Sequence, residues 1–285
     1  MQAEFEEKTY EKYFGRELAD TWQTFSPGQV LESILGFDDA FFVPHRSLFL
    51  PKFGKMRGIV IREIESILRI ASGRLPRFKL NLFVQYKRPE YISSHAASEW
   101  SSWGCEYFRY AVVPHQQLAL EKLQQFSGAR AKAIYASPAF WKSDDLYKYA
   151  KHGKICDNSN IAEALKLTGH KRYTYTKPGP TGKRHSEPSD VTSSKLGELI
   201  RLGLGENEAL PLNRHLDLAR GYVSEVIHAN NELNGRFLNA REAMRSPFLD
   251  ELSPDLPIMS AILDIVAFCD VIAASYYALS DEGGK

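Results

Sequence analysis

Five side chains offer most of the chemistry in this 285-residue chain: Glu32, Asp38, Asp39, Gln85 and Lys87. Gln85 and Lys87 lie two apart in KLNLFVQYK (79–87), where Leu80, Leu82, Val84 and Tyr86 alternate with their neighbours as in a strand. Side chains on a strand repeat every two residues, so Gln85 and Lys87 share one face of a sheet. An amide oxygen beside an ammonium is unusual in a core, because burying an unpaired lysine is costly. The pair makes sense if that face holds a divalent cation and a phosphate. Asp38 and Asp39 start the aromatic, β-branched run DDAFFV (38–43) and supply hard oxygens for Mg²⁺ or Mn²⁺. Gln85 adds a neutral oxygen, and Lys87 orients or activates a water. A plainer reading stays open for each residue. Lys87, with Arg88 and Glu90, also fits a solvated strand end. Gln85 fits an edge strand, the aspartates fit a turn, and Glu32 fits an exposed helix position.

The elements that would carry these residues follow from punctuation and period. Ser26, Pro27 and Gly36 read as the cap, first residue and stop of a short helix bearing Glu32. Helices are expected over 4–23, 55–73, 114–128 and 143–152, and strands over 38–43, 79–87, 106–113 and 129–140. From Lys166 the chain turns rich in Gly, Pro, Thr and cations and reads as a loop or irregular hairpin. From about residue 194 it reads as wholly helical, with segments over 194–203, 214–245 and 257–280. The long spacers between strands favour a partly antiparallel α/β core over a strictly alternating wound sheet.

At these residues the chain resembles the PD-(D/E)xK phosphodiesterase superfamily, in the variant whose tail is QxK. The matching segments are QVLESILG with Glu32, GFDDAFF with Asp38 or Asp39, and LFVQYKRPE with Gln85-Tyr86-Lys87. Strand 106–113, helix 114–128 and strand 129–140 follow in the family's order, so the likeness covers residues 26–140. It implies a restriction-endonuclease-like α/β fold, a mixed sheet flanked by helices, as the nuclease domain (1–190, with the basic loop 166–187). An all-helical extension (191–285) would then pack on the core or form an assembly interface. The resemblance further implies that Asp39 (or Asp38) and Gln85 hold Mg²⁺ or Mn²⁺, with Lys87 positioning the hydrolytic water and Glu32 orienting it. Asp39 is preferred because Gly36-Phe37-Asp38 reads as part of the turn. The implied activity is phosphodiester hydrolysis, first of all in DNA and in defence against foreign DNA. The competing reading is a non-catalytic nucleic-acid- or protein-binding subunit of a larger assembly, since Gln in place of Glu removes one negative charge.

The basic loop adds Lys171, Arg172, Lys177, Lys183, Arg184 and His185, with Tyr173 and Tyr175 interleaved and no acid from Lys166 through Ser186. Cations with aromatics contact phosphates and stack on bases, which makes this segment the expected nucleic-acid clamp. A solvated loop, or a patch for an acidic partner, fits the same composition. His170 and His185, with Glu187 beyond, lack compact metal-ligand spacing, and GPTGK (179–183) lacks the spacing and the Ser/Thr of a phosphate-binding loop.

Composition bounds the rest. The chain is 44% hydrophobic and 25% charged, enough apolar content for a sizeable core. Its 36 Lys and Arg against 35 Asp and Glu give a net charge of +1, so any polyanion must be held by local clustering. Three widely spaced cysteines form neither a zinc pattern nor a disulfide framework, which points to a reducing, cytoplasmic setting. The acidic N-terminus lacks a signal-peptide core. Asp264 and Asp270 interrupt the apolar stretch Pro257–Leu279, which argues for a buried helix instead of a membrane span. That stretch, with the helices before it, could close on the core or join a second copy or a partner protein.

Overall fold

The computed structural model describes residues 1–27, 65–66, 68–70, 73, 75–245 and 256–281. Glu32, Asp38, Asp39 and the expected strand 38–43 lie outside the described residues. Two five-stranded sheets form the framework. The first is mixed and runs in the order β1 (Gln23–Phe25), β10 (Ser275–Ser280), β2 (Leu80–Tyr86), β5 (Ala131–Pro138), β6 (Ser159–Glu163). Only the central pair, β2 and β5, is parallel. The second sheet is antiparallel throughout, in the order β3 (Glu90–Ile92), β4 (Tyr107–Ala111), β7 (Arg172–Tyr175), β8 (Thr181–His185), β9 (Ser189–Thr192).

All seven residues of β2 are buried, because both faces of the mixed sheet are covered. On one face Leu82, Val84, Tyr86, Ile134 and Ala136 meet α1 (Glu7–Thr21), through Tyr10, Phe14 and Leu18, and α5 (Leu196–Glu206). Phe83, Ala133 and Tyr135 line the other face. There they meet α3 (Pro114–Ser127), the C-terminal helices and the inner residues Phe108, Tyr110, Tyr173 and Tyr175 of the second sheet. Between these elements lie a one-turn helix, α2 (Trp100–Trp103), and α4 (Ser143–Lys151). The strands expected over 79–87, 106–113 and 129–140 and the helix over 114–128 are present within a residue or two of their expected ends.

The C-terminal region departs from its expected all-helical form. Helices α6 (Leu212–His228), α7 (Asn231–Arg245) and α8 (Pro257–Ile272) are present, and α6 and α7 part where the Asn230 side chain caps the Leu233 N–H at 3.0 Å. Helix α8 ends at Ile272, seven residues before Leu279, and the next residue, Ala273, with a φ of 49°, ends the helical path. The chain then enters β10, which lies between β1 and β2. The Tyr-Tyr pair explains the change. Tyr276 packs on Phe83 and donates to Asn81 Oδ1 at 2.8 Å, while Tyr277, on the opposite face, shares a 3.0 Å hydrogen bond with Tyr86. Residues 191–285 therefore supply a strand of the central sheet as well as helices.

Two buried carboxylates tie α8 down. Glu65 accepts from the N–H groups of Met259 (2.8 Å) and Ile258 (3.4 Å), satisfying donors that a helix start leaves free. Asp264, on the same helix, meets Arg220 of α6 at 2.9 Å and Arg241 of α7 at 2.5 Å. Among the described residues, no helix is long and apolar enough to cross a membrane.

His215 of α6 is fully buried beside Phe78. Burial holds its pKa down to about 4, the Arg130 charge acts in the same direction, and backbone groups of Leu80 and Phe78 oppose them. Its folded value thus lies below the ordinary value of about 6.5. The unfolded chain takes up the proton first as pH falls, so the stabilising contribution is complete above that value and lost on the way down to about 4. Between pH 7 and 5 the parent protein should lose about 2 kcal/mol that a His215→Leu variant does not lose. Urea unfolding at the two pH values measures it; parallel pH profiles for both proteins would refute the assignment.

Candidate functional site

The carboxyl ends of parallel strands are where α/β sheets usually hold ligands. Gln85 and Lys87 stand at that end of β2, and the register sets Gln85 beside Tyr135 of β5. Gln85 is fully buried. Its amide nitrogen donates to Gln116 Oε1 at 2.5 Å and to the Ile272 carbonyl at 2.9 Å. Its oxygen is buried without a hydrogen-bond partner among the described residues. A buried acceptor left unpaired is costly, typically about 1–3 kcal/mol, and calls for an explanation.

Lys87 follows the last residue of β2, and its N–H continues the ladder to the Ala136 carbonyl at 2.9 Å. Its own carbonyl accepts from Ser137 Oγ at 3.0 Å, and Tyr175 in turn donates to Ser137 at 2.7 Å. The backbone is therefore held firmly where the side chain leaves it. The side chain is half-buried, with its ammonium 5.7 Å from the centre of the Tyr135 ring. Among the described residues no hydrogen bond or close ion pair reaches that ammonium. Burial lowers the Lys87 pKa, and the charge of Glu7 at the start of α1 opposes the shift. Glu7 is raised in return by burial, against the pull of Lys87 and of the Arg88 N–H, which donates to its carboxylate at 3.1 Å.

The structure thus brings Gln85 and Lys87 to one place, together with Glu7, Gln116 and Tyr135, which the sequence reading did not single out. Tyr135 donates to Gln117 Oε1 at 2.6 Å, and Gln117 anchors to the Ala164 carbonyl at 2.7 Å. Nothing local marks these residues: Gln116 and Tyr135 gain their meaning from the β2–β5 register and from α3 crossing it. The proposed acidic partners Glu32, Asp38 and Asp39 fall outside the described residues. Among the described residues no three His, Cys, Asp or Glu side chains converge. A cavity of about 450 Å³ lies elsewhere, lined by Trp22, Ser159, Gly179, Lys195 and Arg201. Of its three carboxylates, Glu17, Asp157 and Glu198, the first is engaged by the N–H groups of Ile155 and Cys156.

The basic segment 166–187 is a hairpin of β7 and β8, and its interleaving is that of a half-buried strand. Tyr173 and Tyr175 point into the core, and Tyr173 packs so closely on Gly182 that a Cβ there would lie 2.4 Å from its ring. Tyr173 is therefore a core residue instead of a base-stacking one. Arg172 pairs with buried Glu99 at 2.5 Å, and Lys183 pairs with Asp190 at 3.0 Å while lying 5.1 Å from the centre of the Trp103 ring. Arg184 bonds Ser189 and the Lys166 carbonyl, and buried His185 bonds Thr174 at 2.8 Å. Lys171 and Lys177 remain exposed, with no side-chain partner among the described residues. If the hairpin grips nucleic acid, those two lysines and the equally exposed Lys166 are the cations free to make the contact. Lys171→Glu with Lys177→Glu should weaken duplex DNA binding about tenfold at 0.1 M salt and flatten its salt dependence by about two charges. Unchanged binding in a filter or anisotropy assay would remove the hairpin from the interface.

Comparison with protein-family models, with curated proteins and with solved structures gave no match to this chain.

Proposed function

We propose that the chain is a Mg²⁺- or Mn²⁺-dependent nuclease of the PD-(D/E)xK kind, hydrolysing phosphodiester bonds with DNA as its first substrate. The observation that carries this reading is the conjunction at the end of β2. Two residues apart at the end of β2 stand a buried amide oxygen without a donor and a half-buried ammonium without an ion pair or hydrogen bond, in each case among the described residues. After β2 come strand β4, helix α3 and strand β5, in the chain order that the resemblance implies; β5 pairs with β2, whereas β4 belongs to the second sheet, so the order supports the restriction-endonuclease-like reading and the pairing of β4 does not.

The unpaired Gln85 oxygen suits a neutral ligand to a hard cation, and Asp39 or Asp38 would add the charged oxygens. When bound, such a cation neutralises charge on the phosphate and lowers the pKa of a water. Lys87 then aligns the attacking water and faces the charge developing on the phosphate, from a site that is already partly dry and so strengthens its field. Glu32 would orient the same water. Glu7 keeps a negative charge near Lys87 and so limits the fall of its pKa. A role in defence against foreign DNA and a cytoplasmic setting belong to the same proposal, as does assembly of copies or partners through the C-terminal helices.

The complete burial of Gln85 favours a second reading, a nucleic-acid- or protein-binding subunit without catalysis. Purified protein incubated with plasmid, single-stranded DNA and RNA, with Mg²⁺ or Mn²⁺, separates the two. Cleavage that stops with chelator is the expected result. No cleavage and no calorimetric metal binding would favour the binding subunit.

A further inference from the structure

The cavity of about 450 Å³ has no part in the nuclease reading. Its volume falls within the range of about 300–1,000 Å³ common to small-molecule sites. It lies on the face of the mixed sheet covered by α1 and α5, whereas Gln85 stands beside Tyr135 and bonds the Ile272 carbonyl on the other. Ser159, which lines it, pairs with Pro138, so the cavity borders the carboxyl end of β5. Ligands of α/β sheets usually bind at that end.

The walls are apolar: buried Leu18 and Ile161, with Trp22, Pro178 and Leu196 beside them. Trp22 is half-buried, and its ring meets no other aromatic ring among the described residues. Charge is kept to the mouth. Lys195 and Arg201 are exposed there, and among the described residues neither side chain makes a hydrogen bond or ion pair. A Cβ on Gly197 would lie 3.5 Å from Arg201 Nη2, so this guanidinium folds back over the start of α5 and stays beside the cavity. The carboxylates do not cancel these cations. Glu17 accepts from the Ile155 and Cys156 N–H groups at 2.6 and 3.2 Å, and Asp157 holds Lys154 at 2.7 Å. Glu198 is exposed, with no side-chain partner among the described residues.

We infer that this cavity binds a mononucleotide, its base against Trp22 and the apolar walls and its phosphate at Lys195 and Arg201. An inorganic anion would leave the walls uncovered, and an aromatic acid would have no donors for the carboxylates at the mouth. A nucleoside phosphate joins a flat base, an anion, and hydroxyl and amino donors that Glu198 and Asp157 can accept. The inference is independent of the nuclease reading.

Calorimetric titration of the full chain with adenosine 5′-monophosphate, in chelator so that no metal takes part, tests it. The parent protein should bind the nucleotide. Adenosine and inorganic phosphate should each bind at least about tenfold more weakly, because each lacks one half of the contacts. Lys195→Glu with Arg201→Glu should weaken nucleotide binding at least about tenfold and leave the melting temperature unchanged, since both side chains are exposed. Trp22→Ala should weaken it by about the same factor, the size usual for a lost stacking partner. No nucleotide binding by the folded parent at millimolar concentration would overturn the inference. So would phosphate bound as tightly as the nucleotide, or parent-like binding by the double variant. Cleavage of DNA without nucleotide binding would sink this inference alone, and nucleotide binding without cleavage would sink the nuclease reading alone.

Discussion

Lys87→Ala should abolish metal-dependent cleavage, with a rate loss of about 10²–10⁴-fold, and should leave the fold as stable as before. The first half follows from the role of a positioned group that moves or orients a proton at the attacking water. The second half follows from the surroundings of the ammonium. It is half-buried over Tyr135, its pKa is lowered by burial, and the described residues give it no close counter-charge. Removing a charge that the fold partly desolvates without pairing costs little and can even stabilise. Lys87→Arg is expected to restore only a small part of the rate, since a guanidinium is larger, planar and never neutral at working pH. A drop in melting temperature of many degrees with Lys87→Ala, or full cleavage by it, would remove lysine from the chemistry.

Asp264→Ala should cost about 3 kcal/mol of stability, measured by urea unfolding. The carboxylate sits 9% exposed between Arg220 and Arg241, whose side chains are 41% and 28% exposed. Taking it away leaves two cations facing each other in a partly dry seam among three helices. The exposure of Arg220 lets water recover part of the loss, which keeps the figure at the lower end of the range for broken buried pairs. Replacing all three residues together, with Asp264→Leu, Arg220→Met and Arg241→Met, should recover most of it. If the triple variant is as unstable as Asp264→Ala, stranded charge is not the cause.

What the sequence displayed is what depends on neighbours along the chain. The strand signal of 79–87 placed Gln85 and Lys87 on one face because alternation alone settles that. Helix α3 and strand β5 announced themselves by period and punctuation. What depends on distant neighbours was hidden. The run Lys171–Tyr175 reads as cations mixed with aromatics, yet Tyr173 and Tyr175 share the strand face that packs in the core, and Thr174 between them is buried as well. Residues 275–280 continue an apolar helical pattern, and only the docking of Tyr276 against Phe83 and of Tyr277 against Tyr86 makes them a strand. The short strands β3, β6 and β9 owe their form to sheet partners. Asp264 argued against a membrane span, but its two arginine partners come from two other helices.

The position of β10 also fixes an order of events during synthesis. Asn81 leaves the ribosome 195 residues ahead of the Tyr276 hydroxyl that will bond it. Until then the stretch Leu80–Val84 presents an open edge to anything nearby, a ready template for unwanted pairing. Contacts so far apart along the chain slow folding and lengthen that exposure. The growing chain thus carries an incomplete central sheet, and its Gln85 lacks the Ile272 carbonyl, until the segment through β10 has been translated. Throughout that interval the edge of β2 that β10 will cover is the part of the chain most open to pairing with another strand.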